Sequence, residues 1–409
     1  MLFTRKKLIA TVTSIFAATS AYSFEWGGLV SGSGKFYNNS EEFSQAEDPK
    51  PTTEITADAS LWCKVPFSKD GESYLIAEGT YEFEHDINIG GSEDSDNSQY
   101  IDLDLFKIAI LKPLSDGDDP NTLSFAIGRF SLSDLSNTVF TQNADGLLVK
   151  YNSTFIGLSA YGAYTGLLNG KAVSILSCYD EDTYEEDPDK LYDMAEAYAV
   201  GSLSVSFNNI FANQTIALEG FGTFRTKGES FNRFYGTVGM NGPLVAKLFY
   251  NISTTFGYTN YGGDEDALGF ETGLGNLTKA NLTYFTSVKD ATFGLSGAFA
   301  SKKFYGFTSN TAVMAQREEQ YQGVLVAGPF ASIKPVNVLL LSASADFVCD
   351  NLRGDEGDSF GFAGVQIGGG IACQAFSDLS FNFSATQFID KDDSENNKTT
   401  LTLKAVLTF

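Results

Sequence analysis

Apolar and polar residues alternate with a period of two along most of the 409-residue chain. Ala57, Ala59, Leu61, Cys63, Val65 and Phe67 alternate with Asp58, Ser60, Trp62 and Lys64. Leu75, Ala77, Gly79, Tyr81 and Phe83 then alternate with Ile76, Glu78, Thr80 and Glu82. Ile216, Leu218, Gly220, Gly222 and Phe224 alternate with Glu219, Thr223 and Arg225, and Leu244, Ala246, Leu248, Tyr250 and Ile252 with Lys247, Asn251 and Ser253. Successive side chains of a strand point to opposite faces, so each segment predicts a strand with one apolar and one polar face. The last segment, Thr399 to Phe409, has the same pattern and ends on an aromatic ring. Its eleven residues, at about 3.3 Å each and tilted, suffice to cross a bilayer core.

A soluble sandwich alternates too, and three features favour a membrane barrel. The predicted strands run mostly nine to fourteen residues, against about five or six in soluble sheets. Their apolar faces end in Phe, Tyr or Trp, as interfacial girdles do. Short connections alternate with long polar ones. The short ones are Lys69-Asp70-Gly71, Asp116-Gly117-Asp118, Asn152-Ser153, Asn208-Asn209, Asn241-Gly242-Pro243 and Pro335-Val336-Asn337, rich in residues that tolerate turn geometry. The long ones cover roughly 38–55, 86–98, 165–194, 257–266, 301–320, 350–359 and 390–398. Short periplasmic turns and long outer loops are the barrel arrangement.

The alternating segments number nineteen, but a chain with both ends in the periplasm crosses an even number of times. Parity breaks between Leu268 and Val288, where Asn276-Leu277-Thr278-Lys279 reads as a turn between two short strands. Reading that stretch as one strand with an outer extension gives an all-β, antiparallel transmembrane barrel of about eighteen strands. Sixteen is the alternative, because the segment Gly146 to Tyr151 alternates weakly. Seven of the nine prolines fall in turns or loops on this map, where a missing ladder donor does no harm.

The N-terminal residues fit this destination. Arg5, Lys6 and Lys7 precede an apolar run from Leu8 to Ala18, then Ala21-Tyr22-Ser23. This predicts a cleaved signal peptide over 1–23 and a barrel over 24–409, because the run is too short for a spanning helix of roughly 20 residues. Removing it leaves 24 basic against 51 acidic residues, a net charge of −27. Such a surface excludes nucleic acid as a partner and favours cations, though acidity also serves to solvate loops. Four cysteines are spaced at Cys63, Cys178, Cys349 and Cys373. Free thiols are expected, with Cys178–Cys349 the pair worth testing, since Cys349 and Cys373 lie at opposite ends of their strand region.

With these strands, the leader and the terminal Phe409, the chain resembles bacterial outer-membrane porins and their barrel relatives. The resemblance is architectural and identifies no subfamily. It implies the outer membrane of a diderm bacterium, contact with its lipids, a C-terminal strand whose Phe409 is read by the barrel-assembly machinery, and a homotrimer as a family expectation. One stretch is more porin-like: Ala126-Ile127-Gly128-Arg129-Phe130, a loop to Asp145, then Gly146 to Tyr151. Porins carry a Gly-Arg near the end of their fifth strand, before a loop that folds into the pore. The resemblance makes Arg129, Asp134 and Asp145 a candidate constriction. The loop is short and has only those two acids, and strict alternation puts Arg129 on the apolar face unless a bulge intervenes.

A barrel of this size has a lumen wide enough for water. The polar faces line it with Asp58, Glu78, Glu82, Asp102, Asp104, Glu219 and Asp346 and with Lys64, Lys150, Arg225, Lys247 and Lys404. Glu78, Glu82, Asp102 and Asp104 fall on adjacent inward faces. They form either an acidic strip that favours cations or ordinary carboxylates paired across strands. The loop clusters at 93–96, 180–189, 263–266 and 390–395 are oxygen-rich but lack the spacing of a calcium loop. They read as solvated loops, and Arg353-Gly354-Asp355 as a chance tripeptide. The single histidine, His85, sits beside Glu84 and Asp86 with no serine next to it, which leaves no Ser-His pair.

The reading is therefore a porin-like channel for passive diffusion of small hydrophilic solutes with a cation preference, not an enzyme, and without cofactor or metal. Two competitors remain. One is a plugged transporter for a hydrophobic substrate, hinted at by Phe106, Ile108 and Ile110 on an otherwise inward face, unless a bulge flips the register there. The other is a surface adhesin whose barrel only anchors its loops.

Overall fold

In a computed structural model of the chain, the described residues are 24–38, 51–88, 97–115, 121–175, 190–228, 230–262, 273–308, 323–350, 361–392, 394 and 397–409. Residues 1–23, expected to be a signal peptide, Cys178, residues 353–355 and most of the acidic loop clusters lie outside them. Eighteen strands follow in chain order: β1 Glu25–Tyr37, β2 Thr52–Pro66, β3 Tyr74–Asn88, β4 Asn97–Pro113, β5 Thr122–Ser133, β6 Thr141–Asn152, β7 Ile156–Tyr164, β8 Tyr198–Phe207 and β9 Thr215–Arg225. The second half comprises β10 Phe231–Val245, β11 Leu248–Tyr261, β12 Gly273–Phe285, β13 Thr292–Ala300, β14 Val324–Val336, β15 Leu339–Asp350, β16 Gly361–Gln374, β17 Leu379–Asp390 and β18 Lys398–Thr408.

Each strand pairs antiparallel with the next, and β18 returns to β1 from Leu29↔Thr408 to Tyr37↔Thr400, so the sheet closes into a barrel. Closure matters because a sheet edge in hydrocarbon would leave backbone groups without partners. The last residue completes the seal. Gly28 N–H donates to the Phe409 carbonyl at 2.9 Å, and Phe409 N–H donates back at 3.0 Å. A Cβ on Gly28 would lie 2.5 Å from the Phe409 ring, so a glycine is needed for that approach.

The parity argument holds: β12 is a single strand through Asn276 to Lys279, and β6 is a full strand, which rules out sixteen. Among the described residues two expected turns are displaced: Pro335 and Val336 end β14, with the turn at Asn337 and Val338, and the second displacement is larger. Asn241-Gly242-Pro243 lies inside β10, and the chain reverses at Ala246 and Lys247, beyond a register shift between Pro243 and Val245. The shift accommodates the proline, which has no N–H to give the ladder.

Outward residues such as Leu61, Leu147, Leu203, Leu218, Val238 and Leu295 form an exposed apolar band. Trp26, Phe155, Phe211, Phe376 and Phe409 cluster at the short-turn end as one aromatic girdle. On β4 a bulge interrupts the alternation: Glu78↔Leu105 is followed by Thr80↔Asp102, one extra residue on β4. Ile101 and Leu103 point outward before it, and Phe106, Ile108 and Ile110 point outward after it. These last three therefore belong to the lipid face and supply no greasy pocket.

Candidate pore

The barrel wall forks between β4 and β5. Their ladder runs from Pro113↔Thr122 only to Phe106↔Arg129, yet β3 still pairs with β4 as far as Asn97 and β5 with β6 as far as Ser133↔Thr141. On the other side, β6 leaves β7 at Asp145↔Tyr164. The β5–β6 hairpin beyond Arg129 and Asp145 thus departs from the wall and folds into the lumen, where Phe130, Leu132, Val139 and Phe140 are buried. Gly128 permits the bend. Its φ is +119°, and a Cβ there would sit 2.0 Å from the Phe106 carbonyl oxygen.

Polar groups fix the inserted tip. Asp134 accepts from the N–H groups of Ser136, Thr138, Val139 and Phe140 at 2.9, 3.0, 3.0 and 2.9 Å. It therefore shapes the tip and does not face Arg129. Glu219 of β9 accepts from Leu135 N–H and the Ser202 hydroxyl, both at 2.5 Å. Lys279 of β12 donates to the Thr138 hydroxyl at 3.1 Å.

The start of the β13–β14 connection also turns inward. Arg233 donates to the Gly306 carbonyl at 2.6 Å and the Tyr235 hydroxyl to that of Tyr305 at 2.8 Å. Phe140 lies 5.3 Å from Phe221 and 5.6 Å from Phe307, and Tyr198 meets Phe307 edge-on at 5.1 Å. This aromatic cluster fills the β5–β13 side of the lumen with packed side chains.

Arg129 sits at the fork, only 5% exposed. The bend turns it away from the apolar face that strict alternation assigns it. Its guanidinium makes a two-pronged contact with Asp145, at 3.0 and 2.8 Å, and lies 3.6 Å from Asp102. It also donates to the carbonyls of Leu103 and Leu167 and to the Tyr192 hydroxyl, at 3.2, 2.6 and 3.1 Å. Five donors in a fixed fork suit such a junction. Leu167 and Tyr192 belong to the β7–β8 connection, so one side chain ties β4, β5, β6 and that connection together.

The inward faces of β1 to β4 are polar. Asp58 faces Glu82 across the β2–β3 ladder, and Glu82 faces Tyr100 across β3–β4. Asp58 accepts from the Ser31 hydroxyl and Asp104 from that of Thr80. Lys35 pairs with Glu54 at 3.8 Å and Lys64 with Glu25 at 3.6 Å. Setting these pairs and Arg129–Asp102 aside leaves Asp58, Glu78, Glu82 and Asp104 against Lys404 of β18 and Lys107 of β4, a net negative patch on one wall. Next to the tip, a cavity of about 370 Å³ is lined by Ser136, Thr138, Asn281, Lys279 and Asp346, among others.

Other expected lining residues have different positions. Lys150 lies on the inward face at the short-turn end, exposed. Arg225 meets Glu196 at 3.7 Å, which engages it with the β7–β8 connection. Lys247 is not on the wall. It occupies the β10–β11 turn with φ +70° and donates to the Ser287 hydroxyl at 2.5 Å. Glu219 is consumed in holding the hairpin. His85 contacts Asn97 at 2.8 Å near the long-loop end. Cys63, Cys349 and Cys373 are free thiols, and no metal-binding group is found among the described residues.

No known protein family matches the sequence, and no curated protein does. The fold has clear counterparts among solved structures. Pseudomonas aeruginosa OpdQ matches with a TM-score of 0.59 at 10% identity, covering 94% of this chain and 99% of that one. OccK7 (OpdD) of the same organism gives 0.59 at 10% identity, covering 95% and 99%. A BenF-like porin from Pseudomonas fluorescens gives 0.57 at 11%, covering 95% and 98%. The chain has the fold of bacterial outer-membrane porins over nearly its whole length.

Proposed function

We propose that this protein is an outer-membrane channel through which small hydrophilic solutes diffuse passively, with a preference for cations. The outer-membrane location rests on the porin fold and the lipid-facing apolar band. The selectivity rests on one observation: the inserted hairpin blocks one side of the lumen, so solutes pass along the wall that carries Asp58, Glu78, Glu82 and Asp104. Charges on that wall act on ions that pass within a Debye length of about 8 Å. Arg129 and Asp145 anchor the constriction, Asp134 shapes it, and the chain acts through pore width and lining charge.

Neutralising the strip tests this. In a salt gradient across a planar bilayer the wild type should give a cation-selective reversal potential, and Glu82→Gln with Asp104→Asn should move it clearly towards zero. An anion-selective wild type, or an unmoved potential in the double variant, would sink the selectivity.

The second reading, a plugged carrier for a hydrophobic substrate, draws on the aromatic cluster. That cluster is packed against itself, with Phe140, Phe304 and Phe307 fully buried, and serves as the filling of the inserted loops. Assembly is proposed to proceed through β18, whose terminal Phe409 closes on Gly28. Deleting Phe409 should lower the yield of folded barrel, scored by its heat-modifiable migration in detergent gels; an unchanged yield would remove that role.

A further inference from the structure

The fork leaves a gap in the wall that no strand of the barrel fills. Above Phe106 and Arg129, residues 97–105 of β4 have no β5 partner. With β5 and β6 turned inward and β7 ending at Tyr164, level with Asp145, β4 has no strand beside it there and faces the β7–β8 connection. The gap lies at membrane depth: Ile101 and Leu103 are outward and exposed, and Ile101 pairs with Tyr81, itself opposite Ala59 in the apolar run of β2.

Residues 165–175 and 190–197 of the β7–β8 connection stop this gap. Ile101 N–H donates to the Leu191 carbonyl at 2.9 Å, backbone to backbone. The other bonds described across the seam come from side chains. Asn169 donates to the Ile101 carbonyl at 2.9 Å, Lys171 to that of Gln99 at 3.4 Å, and Arg129 to those of Leu103 and Leu167, while a second Asn169 bond, to Leu191 at 3.2 Å, stays within the stopper. A ladder would hold by regular backbone bonds at every second residue, whereas the bonds described here are mostly from side chains, which exchange more easily. The stopper also carries exposed apolar side chains: Leu167 (48%), Leu191 (42%) and Met194 (60%). Behind it lie the apolar Phe130 and Leu132, and beside it the acidic inner face of β3 and β4 with Glu82, Tyr100, Asp102 and Asp104.

We infer that the β4–β5 seam is a lateral portal, through which a small single-chain cationic amphiphile passes between the lumen and the surrounding bilayer. The head group runs along the acidic face while the apolar tail leaves between β4 and the stopper. This goes beyond axial diffusion of hydrophilic solutes and does not depend on it.

The test bridges the seam. Ile101→Cys and Leu191→Cys, with the four native cysteines changed to serine, are joined by a short, reducible bis-methanethiosulfonate. The probe is a fluorescent alkyltrimethylammonium, its uptake by intact cells measured above that of cells lacking the protein. Uptake should be present with free thiols, lost on bridging and restored by reductant, while the conductance of the purified bridged protein in a planar bilayer stays unchanged. Uptake that persists through full bridging, that is absent beforehand, or that disappears together with conductance overturns the portal. Bridge-sensitive uptake in a protein without conductance would retain the portal and reject the channel. If the cysteine pair does not fold, Asn169→Ala serves instead: it removes the side-chain bond to Ile101 of β4 and should raise uptake, and unchanged uptake overturns the portal.

Discussion

Arg129→Ala should give a channel of higher and noisier single-channel conductance than the wild type. Removing the guanidinium leaves Asp102 and Asp145 without their cation, and Asp102 is nearly buried, its side chain 7% exposed. Breaking a buried pair from one side costs about 3 to 5 kcal/mol, because an uncompensated charge remains. The wall ladders do not depend on Arg129, so the cost falls on the inserted hairpin and on the β7–β8 connection, the parts that Arg129 ties in place. Those parts narrow the lumen. Conductance traces of the two proteins in the same bilayer decide the matter: equal, equally quiet traces would mean that Arg129 does not hold the constriction.

Gly128→Ala should lose most of its folded barrel. The alanine would have to adopt φ +119°, and its Cβ would overlap the Phe106 carbonyl at 2.0 Å. The left-handed backbone alone costs on the order of 1 to 3 kcal/mol, and the obstacle is backbone, which cannot swing aside. Relief requires β5 to straighten back onto β4, which would pull the hairpin out of the lumen and strip Glu219 and Lys279 of their contacts with it. The yield of heat-modifiable protein reads this directly. A normal yield with normal conductance would mean that the fork tolerates a side chain.

Much of this barrel was legible in the sequence because the membrane imposes a strict pattern: strands alternate, and every polar backbone group must be paired. Parity alone corrected the strand count at β12. The bulge on β4 was also readable, from Lys107 opposite Phe106, Ile108 and Ile110. The inserted parts were less readable because they obey no period. Val139-Phe140 in a short connection and Phe304-Tyr305-Gly306-Phe307 in a connection expected to be polar were the available signals, since aromatic runs do not belong in solvated loops. Arg233 and Lys279 were missed for the same reason: their partners come from those runs and not from neighbouring strands. Lys247 was misplaced because the Asn-Gly-Pro triplet suggests a turn that the bulge at Pro243 moves onward. Asp134 was legible only as a candidate for the constriction, because its four backbone donors come from its own loop and could not be read from spacing.

The central claim is that an open, acid-lined path persists beside the inserted hairpin, and conductance of the purified wild-type protein in a planar bilayer tests it most directly. The account predicts stepwise, ohmic current increments carried mainly by cations. A membrane that stays closed as protein is added would contradict it.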